Sequence, residues 1–434
     1  MSNIISVVSC ADSGPNTLRQ ALSEAVDGTV IDFNLAPCNE ITLRTGELLI
    51  SVNNVTLQGP VAGMTIDGSK NGRVIRHIGI GKLDLENMTI RNGDSTGSAS
   101  PNGGCIYSTG HIFLDKSIVT GCQAKTLDSR RAYGGAIFVE PGGVALYRST
   151  VSESSVYSAT GKARGGGIAA SYVTVSFSTI SGNSAYGRPG NANYARGGGI
   201  YASNLNHTGT AVSVSYSTIS NNKSEEGGGV FSPGINISQS TISSNKSTGS
   251  GGGVFSSVSG STVNCRESTI SGNNSGYLAG GMLVNSGNVA HFSHCTVTNN
   301  HAVVTGGGLY LDGNSHEFID TLVAGNFLTS GAASKDIGGG PQKTMFGSNN
   351  LIVSSSIDVP QGTIRDAPML AALADNGGLT MTHALLPGSA AIDHGASNVD
   401  SFDQRGAGFR RVVGAAPDIG AFEFNDVVFA SGFE

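Results

Sequence analysis

The chain has 434 residues, of which 64 are glycine and none is tryptophan, and 13% are charged. A formal charge of −6 lacks the basic excess of a nucleic-acid binder, and no stretch approaches the ~18 consecutive apolar residues of a membrane-crossing helix. Apolar residues make up 38% and alternate regularly, which argues for a long thin core and against disorder; length alone allows roughly one to three domains.

The opening, MSNIISVVSC, has no basic region followed by an apolar one. Either the chain is not exported or an export signal has been removed, and the second is the expectation. Six cysteines occur, with no CxxC and no zinc-ribbon spacing. Cys10 and Cys38 bracket an N-terminal segment and are the first candidates for a disulfide. Cys105 with Cys122 and Cys265 with Cys295 are further candidate pairs, the alternative being six small buried apolar residues. Disulfides would imply an oxidising compartment. Residues 17–26 (TLRQALSEAV) have helix-forming composition with Thr17 as N-cap, and this helix is expected to cover the first coil of a repeating body.

The body of the chain is periodic. GGCI at 103–106 returns as GGAI at 134–137, as GGGI at 165–168 and 197–200, as GGGV at 227–230 and 251–254, as GGML at 280–283 and as GGGL at 306–309. The final apolar residues lie 31, 31, 32, 30, 24, 29 and 26 apart, a spacing that indicates a solenoid or a propeller. A second phrase, STISGN at 178–183 and 268–273, alternates with the first and has weaker copies at 217–222, 241–245, 296–300 and 321–326. Runs such as VTVSFSTI have strand periodicity. The fold class read from this pattern is all-β: a right-handed parallel β-helix with an N-terminal helical cap and an irregular C-terminal capping segment. The asparagines at 183, 222, 245, 273, 300 and 326 are expected to stack at a turn and hydrogen-bond along the axis. Three segments result: 1–80 as cap and first coils, 81–346 as solenoid body, and 347–434 as a non-repeating end.

Function is sought in what changes between coils. Three successive loops are long, at 123–133, 154–164 and 184–196, and are expected to stack on one side of the solenoid. Across 123–207 eight Lys or Arg stand against three Asp or Glu, with seven of the eleven tyrosines. Four residues before each apolar anchor the chain has Asn102, Tyr133, Arg164, Arg196, Glu226, Ser250, Ala279 and Thr305. Guanidinium forks match carboxylates and sulfates, and tyrosine offers a ring face and a hydroxyl. The strip suits a linear acidic polysaccharide, with Lys125, Arg130, Arg131, Tyr157, Tyr186 and Arg188 as binding residues. Tyr133, Lys162, Arg164, Tyr194 and Arg196 are the catalytic candidates: an arginine to neutralise a uronate, and a tyrosine or Lys162 to move the proton. The bland alternative is a charged, solvated set of loops. No cofactor is expected, calcium being the one candidate ion.

A second column, three residues before the buried Ile of the STI phrase and its equivalents, runs Lys116, Arg148, Phe177, Tyr216, Gln239, Glu267, His294 and Asp320. If it faces outward it sets His294 between Glu267 and Asp320, with His291 and Glu317 three residues earlier, a patch suited to metal or acid–base chemistry. Ordinary solvated surface is the competing explanation.

The C-terminal end reads GSNNLI (347–352), DAPML (366–370), LADNGGLTMTHALLPGSAAID (373–393), DQRG (403–406) and PDIGAFEF (417–424). These phrases, in this order, resemble the choice-of-anchor Q domain of secreted bacterial β-helix proteins. The N-terminal TLRQAL, GTVIDF and LLISVNNVTLQGP resemble the opening coils of such proteins and of polymorphic outer-membrane-protein repeats. The tail VVFASGFE resembles the endings of exported bacterial proteins. The resemblance implies a secreted or cell-surface location and no particular activity. Asp375, Asp393, Asp403, Arg405 and Asp418 read as a hydrogen-bonded network holding the segment to the last coil. Three functions are therefore carried forward: an extracellular binder of uronic-acid polysaccharide that also cleaves it by β-elimination, a non-enzymatic adhesin or structural stalk, and a glycoside hydrolase.

Overall fold

The computed structural model describes residues 3–188, 195–203, 210–257, 260–313, 315–329, 336–340, 343–396 and 400–425. It has two compact units, the first formed by Met1–His207 with Ile219–Ser232 and the second by Thr208–Thr218 with Pro233–Glu434. Each is built from stacked parallel strands, and the winding is that of an all-β right-handed parallel β-solenoid. Among the described residues no helix is long and apolar enough to cross a membrane.

In the first unit the helix Leu18–Glu24 begins at Thr17, whose side chain accepts a hydrogen bond from the Gln20 N–H, as the capping pattern predicts. It buries Leu18, Ala21 and Leu22. Three parallel sheets then repeat once per coil. One contains Lys82–Glu86, His111–Asp115, Gly143–Tyr147 and Tyr172–Ser176. The second contains Leu48–Ile50, Ile75–His77, Ile106–Ser108, Ile137–Val139, Ile168–Ala170, Ile200–Ala202 and Val230–Ser232. The third contains Met88–Arg91, Ile118–Thr120, Thr150–Ser152 and Thr179–Ser181. The anchors Ile106, Ile137, Ile168, Ile200 and Val230 are fully buried and pair in register. The glycine opening each phrase has positive φ, from 62° at Gly227 to 68° at Gly165 and Gly197, a conformation costly for any residue with a Cβ.

The plain STI phrase is a pair of ladders. Its serines pass hydroxyls up the axis: Ser117 N–H donates to Ser149 Oγ at 3.0 Å and Ser149 N–H to Ser178 Oγ at 2.9 Å. Its asparagines do the same with amides. In the second unit Asn245, Asn273, Asn300 and Asn326 are buried, and each donates from both N–H and Nδ2 to the next Oδ1 at 2.8–3.0 Å, ending on Asp336. Asn300→Ala would take the acceptor from the buried Asn273 N–H and the amide donor from the Ile270 carbonyl, while the Asn326 Oδ1 keeps the N–H of residue 300, so a loss of about 1–3 kcal/mol in urea unfolding is expected. A change under ~0.5 kcal/mol would mean that the ladder has little energetic importance.

All three candidate cysteine pairs are disulfides: Cys10–Cys38, Cys105–Cys122 and Cys265–Cys295. Two expectations need correction. First, the GGML phrase is displaced by one residue. Met282, not Leu283, pairs with Leu309, and Leu278, not Ala279, bridges Thr305. Ala279 occupies the left-handed corner at φ 57° that glycine fills elsewhere, so the phrase is AGGM and the glycine signal misled the alignment. Second, the long segments are not open loops. Gln123–Thr126, Ser155–Ser158 and Ser184–Gly187 stack as parallel strands, as do Ala132–Tyr133, Ala163–Arg164 and Ala195–Arg196. Ala124, Ala132, Val156, Ala163, Ala185 and Ala195 bury themselves between these two ladders. Small side chains at those alternating positions let two short strands close on each other, which gives the outward residues fixed positions.

In the second unit the C-terminal segment caps the last coil, where Ser355 bridges Ile337 and Ile364 bridges Leu351, and then continues beyond it. It lies along the side of several coils, over the sheet containing Thr241–Ser243, Thr269–Ser271, Thr296–Thr298, Leu322–Ala324 and Leu351–Ile352. Thr241 Oγ1 donates to the Met381 carbonyl at 2.6 Å, Thr269 Oγ1 to Gln404 Oε1 at 2.6 Å, and Thr296 Oγ1 accepts from Ala421 N–H at 2.9 Å. Leu322, Ala324 and Leu351 form an apolar cluster with Leu385, Ala391, Ile419 and Phe422.

Candidate functional site

The period places the predicted column together. Asn102, Tyr133, Arg164, Arg196 and Glu226 are consecutive register partners in the first unit. Beside them, one residue past each buried anchor, runs an outward row that the sequence reading missed: Arg76, Tyr107, Phe138, Ala169, Tyr201 and Phe231. The row was legible as the aromatic that comes after the anchor in GGCIY, GGAIF, GGGIY and GGGVF. Ala169 is its short member. Across that position a cavity of about 220 Å³ is lined by Arg131, Tyr133, Phe138, Glu140, Arg164 and Tyr201, among others. That is below the ~300–1,000 Å³ of pockets for drug-sized ligands and suits a single ring.

Arg164 is the centre of this cavity. Its guanidinium carbon lies 5.6 Å from the Tyr133 ring centroid and 4.5 Å from that of Tyr201, and Nη1 donates to the Tyr201 hydroxyl at 2.5 Å. Its Nε is buried and has no hydrogen-bond partner among the described residues. A buried guanidinium N–H without an acceptor is costly unless a ligand supplies one. Arg196 differs. It forms an ion pair with Glu226 at 2.8 Å and lies over the Phe231 ring at 4.6 Å. Burial pushes the Glu226 carboxyl up, with Arg196 opposing the shift.

Burial also pushes the Tyr201 phenol up, against the pull of Arg164. Its oxygen accepts from Arg164 Nη1, which leaves the phenol O–H free to donate in its turn. Lys162 comes just before the strand Ala163–Arg164 and is not among the residues lining the cavity; it is pulled down by the charge of Arg164 first, then by desolvation and by Arg131 and Arg196. Lowering moves an amine towards the neutral, basic form.

The remaining candidates divide. Lys125, Tyr157 and Tyr186 form an adjacent outward ladder, with Lys125 Nζ 5.8 Å from the Tyr157 ring and the two tyrosine rings 5.1 Å apart. Arg131 lines the cavity and Arg188 is exposed. Arg130 is turned away: it pairs with Asp128 at 2.8 Å and donates from Nη1 to the Ser98 carbonyl at 2.7 Å. Tyr194 lies outside the described residues.

The second column does not face solvent in the second unit. Glu267, His294 and Asp320 are fully buried against the C-terminal segment. His294 Nε2 is 3.2 Å from Asp320 and Nδ1 is 3.7 Å from Glu267, while Arg411, also buried, reaches Glu267 at 3.1 Å. Each member of the column takes left-handed backbone, with φ from 42° at Gln239 to 51° at Phe177. His291 and Glu317 remain partly exposed and pair at 2.9 Å. Glu267, His294 and Asp400 bring ligand atoms within 4.8 Å of one another, a set able to hold a metal ion. Arg266 already pairs with Asp400 and Arg411 with Glu267. The network expected from the C-terminal acids is present for Asp393, Asp403, Arg405 and Asp418, whereas Asp375 is exposed and accepts only from the nearby Gly377 N–H. Asp403 binds Arg405 at 2.6 Å and accepts from Glu423 N–H, while Asp418 accepts from Asp393 N–H and Asp393 from Ala416 N–H.

Fold and cavity together define a parallel β-solenoid carrying a cationic, aromatic-walled pocket on one sheet. No family model matches the chain, and no curated protein does. The likeness of its terminal phrases to choice-of-anchor Q and outer-membrane-protein repeats thus has no family match behind it. Among solved structures it is similar to the crystal structure of pectate lyase Pel9A, at 14% identity over 98% of this chain and 97% of that one, with a TM-score of 0.41. A likeness so distant bears on neither site nor activity.

Proposed function

We propose that the chain is an extracellular protein that binds a uronic-acid polysaccharide at the Arg164 cavity. The observation that carries this is Arg164 itself: a half-buried guanidinium between two tyrosine rings, with one donor unsatisfied and no carboxylate paired to it among the described residues. A sugar carboxylate would satisfy it bidentately. Three disulfides support an oxidising compartment, and the resemblance of the terminal phrases to those of secreted surface proteins agrees with that location.

The electrostatics extend the proposal to β-elimination. With the uronate neutralised by Arg164, Lys162 takes the C5 proton. The electron pair left behind forms the C4–C5 double bond and expels the C4 oxygen, which receives the Tyr201 proton. Tyr133 supplies a ring wall. Calcium is the ion to test beside the cationic pair; the Glu267, His294 and Asp400 set is separate, and its imidazole suits a transition metal better than calcium. The adhesin alternative is favoured by the outward ladder of Lys125, Tyr157 and Tyr186, of which Lys125 and Tyr157 are partly buried and Tyr186 is exposed. Hydrolysis from Glu267 and Asp320 is disfavoured because both carboxylates are buried.

The experiment is a panel of uronic-acid polymers, with and without calcium, read by direct binding and by the ultraviolet band of the unsaturated uronate. Binding with a rising band supports elimination. Binding without it leaves the adhesin. Absence of binding to every acidic polymer overturns the proposal.

A further inference from the structure

The row that carries the Arg164 cavity continues to a larger hollow. Arg76 and Tyr107 are its next two members, and Tyr107 lies 5.6 Å, centroid to centroid, from Phe138 of the first cavity. Around them is a cavity of about 490 Å³, lined in part by Glu47, Arg73, Arg76, Asp94, Ser95 and Tyr107.

Its parts have distinct states. Arg73 is buried and committed: it donates to the carbonyls of Ser100, Asn102 and Gly103 and pairs with Glu47 at 2.7 Å. It fixes the floor and holds Glu47. Arg76 is half exposed, 3.6 Å from the other Glu47 oxygen and 6.0 Å from the Tyr107 ring centroid. The wall formed by 94–100 is anchored by Arg130 through the Ser98 carbonyl, which gives that arginine a positioning role. Ser95 is among the lining residues and is 2% exposed; its Oγ is buried and has no hydrogen-bond partner among the described residues. A buried hydroxyl in that state, beside an aromatic face, an accessible guanidinium and carboxylates able to accept sugar hydroxyls, has the composition of a carbohydrate site.

We infer that the Arg76–Tyr107 hollow is a second subsite for the same acidic polysaccharide, so that the chain lies along the solenoid axis and is gripped at two places. This rests on the reading of the Arg164 cavity as a uronate site. Arg76 and Ala169 are three coils apart in register, or ~14 Å at the parallel-strand spacing. A dimer cannot reach across that gap and a tetramer can.

The test is calorimetric titration of the full chain with uronic-acid oligomers of two, four and six units, using wild type, Arg76→Met and Arg164→Met. Arg76 has no main-chain hydrogen bond from its side chain among the described residues, so its variant is expected to melt as wild type does. Wild type should gain at least ~10-fold in affinity from two units to four, and Arg76→Met should remove that gain while leaving the dimer unchanged. Arg164→Met should weaken every length. A wild-type length dependence that survives Arg76→Met overturns the second subsite and leaves the first standing. An Arg76→Met loss equal at all lengths also overturns it. If wild type binds no length, both readings fall.

Discussion

Arg164→Met is expected to lower affinity for an acidic oligosaccharide by at least ~100-fold, whereas Arg196→Met should lower it less than ~10-fold. Sequence alone treats the two arginines as equals, since they occupy the same column one coil apart. Their surroundings separate them. Arg196 is neutralised by Glu226, and a ligand would have to compete with that carboxylate. Arg164 faces two rings and a hydroxyl. A desolvated charge pair lost from such a site costs about 2–5 kcal/mol, and each 1.4 kcal/mol is tenfold. Methionine keeps the packing against Tyr133 and Tyr201, so the loss reports charge. Tyr201→Phe divides catalysis from binding. If the phenol donates the proton, kcat falls while KM holds; if the chain only binds, affinity changes little. Equal losses for Arg164→Met and Arg196→Met would contradict the argument from pairing.

The repeat explains how much could be read beforehand. A solenoid converts sequence period into axial neighbours, so the buried anchors, the asparagine ladder and the Tyr133–Arg164–Arg196 column were all visible as columns of text. The disulfides were visible only as candidate pairs: Cys10–Cys38 and Cys265–Cys295 lie 28 and 30 residues apart, close to one coil, but Cys105–Cys122, 17 apart, does not follow the period. What failed had no period. Ala279 took the place of a glycine and moved one phrase by a residue, because backbone conformation, not residue type, defines the corner. Tyr201 was counted among the tyrosines of the basic stretch but not assigned, because its neighbour Ala169 interrupts the aromatic row. The course of 347–425 was hidden for a simpler reason: a non-repeating segment contains nothing that says which coils it covers. Glu267, His294 and Asp320 therefore read as surface residues and are interior ones.

That covered face sets the second large effect. Glu267, Asp418 and Glu423 are buried together beside Arg411, which pairs with Glu267 at 3.1 Å and lies 3.8 Å from Glu423. Burial pushes the Glu267 carboxyl up to about 8, Glu423 to about 7 and Asp418 to about 6. In the unfolded chain the same groups release protons near the ordinary carboxylate range of ~4. Between these limits the folded state binds more protons, so stability is full at low pH and falls as pH rises through about 6 to 8. Arg411→Met removes the buried cation that reaches both Glu267 and Glu423. A loss of about 3–5 kcal/mol is expected, and it should be larger at pH 9 than at pH 5, because without Arg411 the carboxylates resist ionisation still more. Glu267→Gln should cost little at pH 5 and should flatten the slope between pH 5 and 9. Urea unfolding at both pH values, with hydrogen exchange of 366–396 and 400–425, measures both variants. Wild-type stability that stays level from pH 5 to 9, or an Arg411→Met loss independent of pH, would show that the C-terminal segment is held by its apolar contacts and hydroxyl hydrogen bonds, with the buried charges adding nothing.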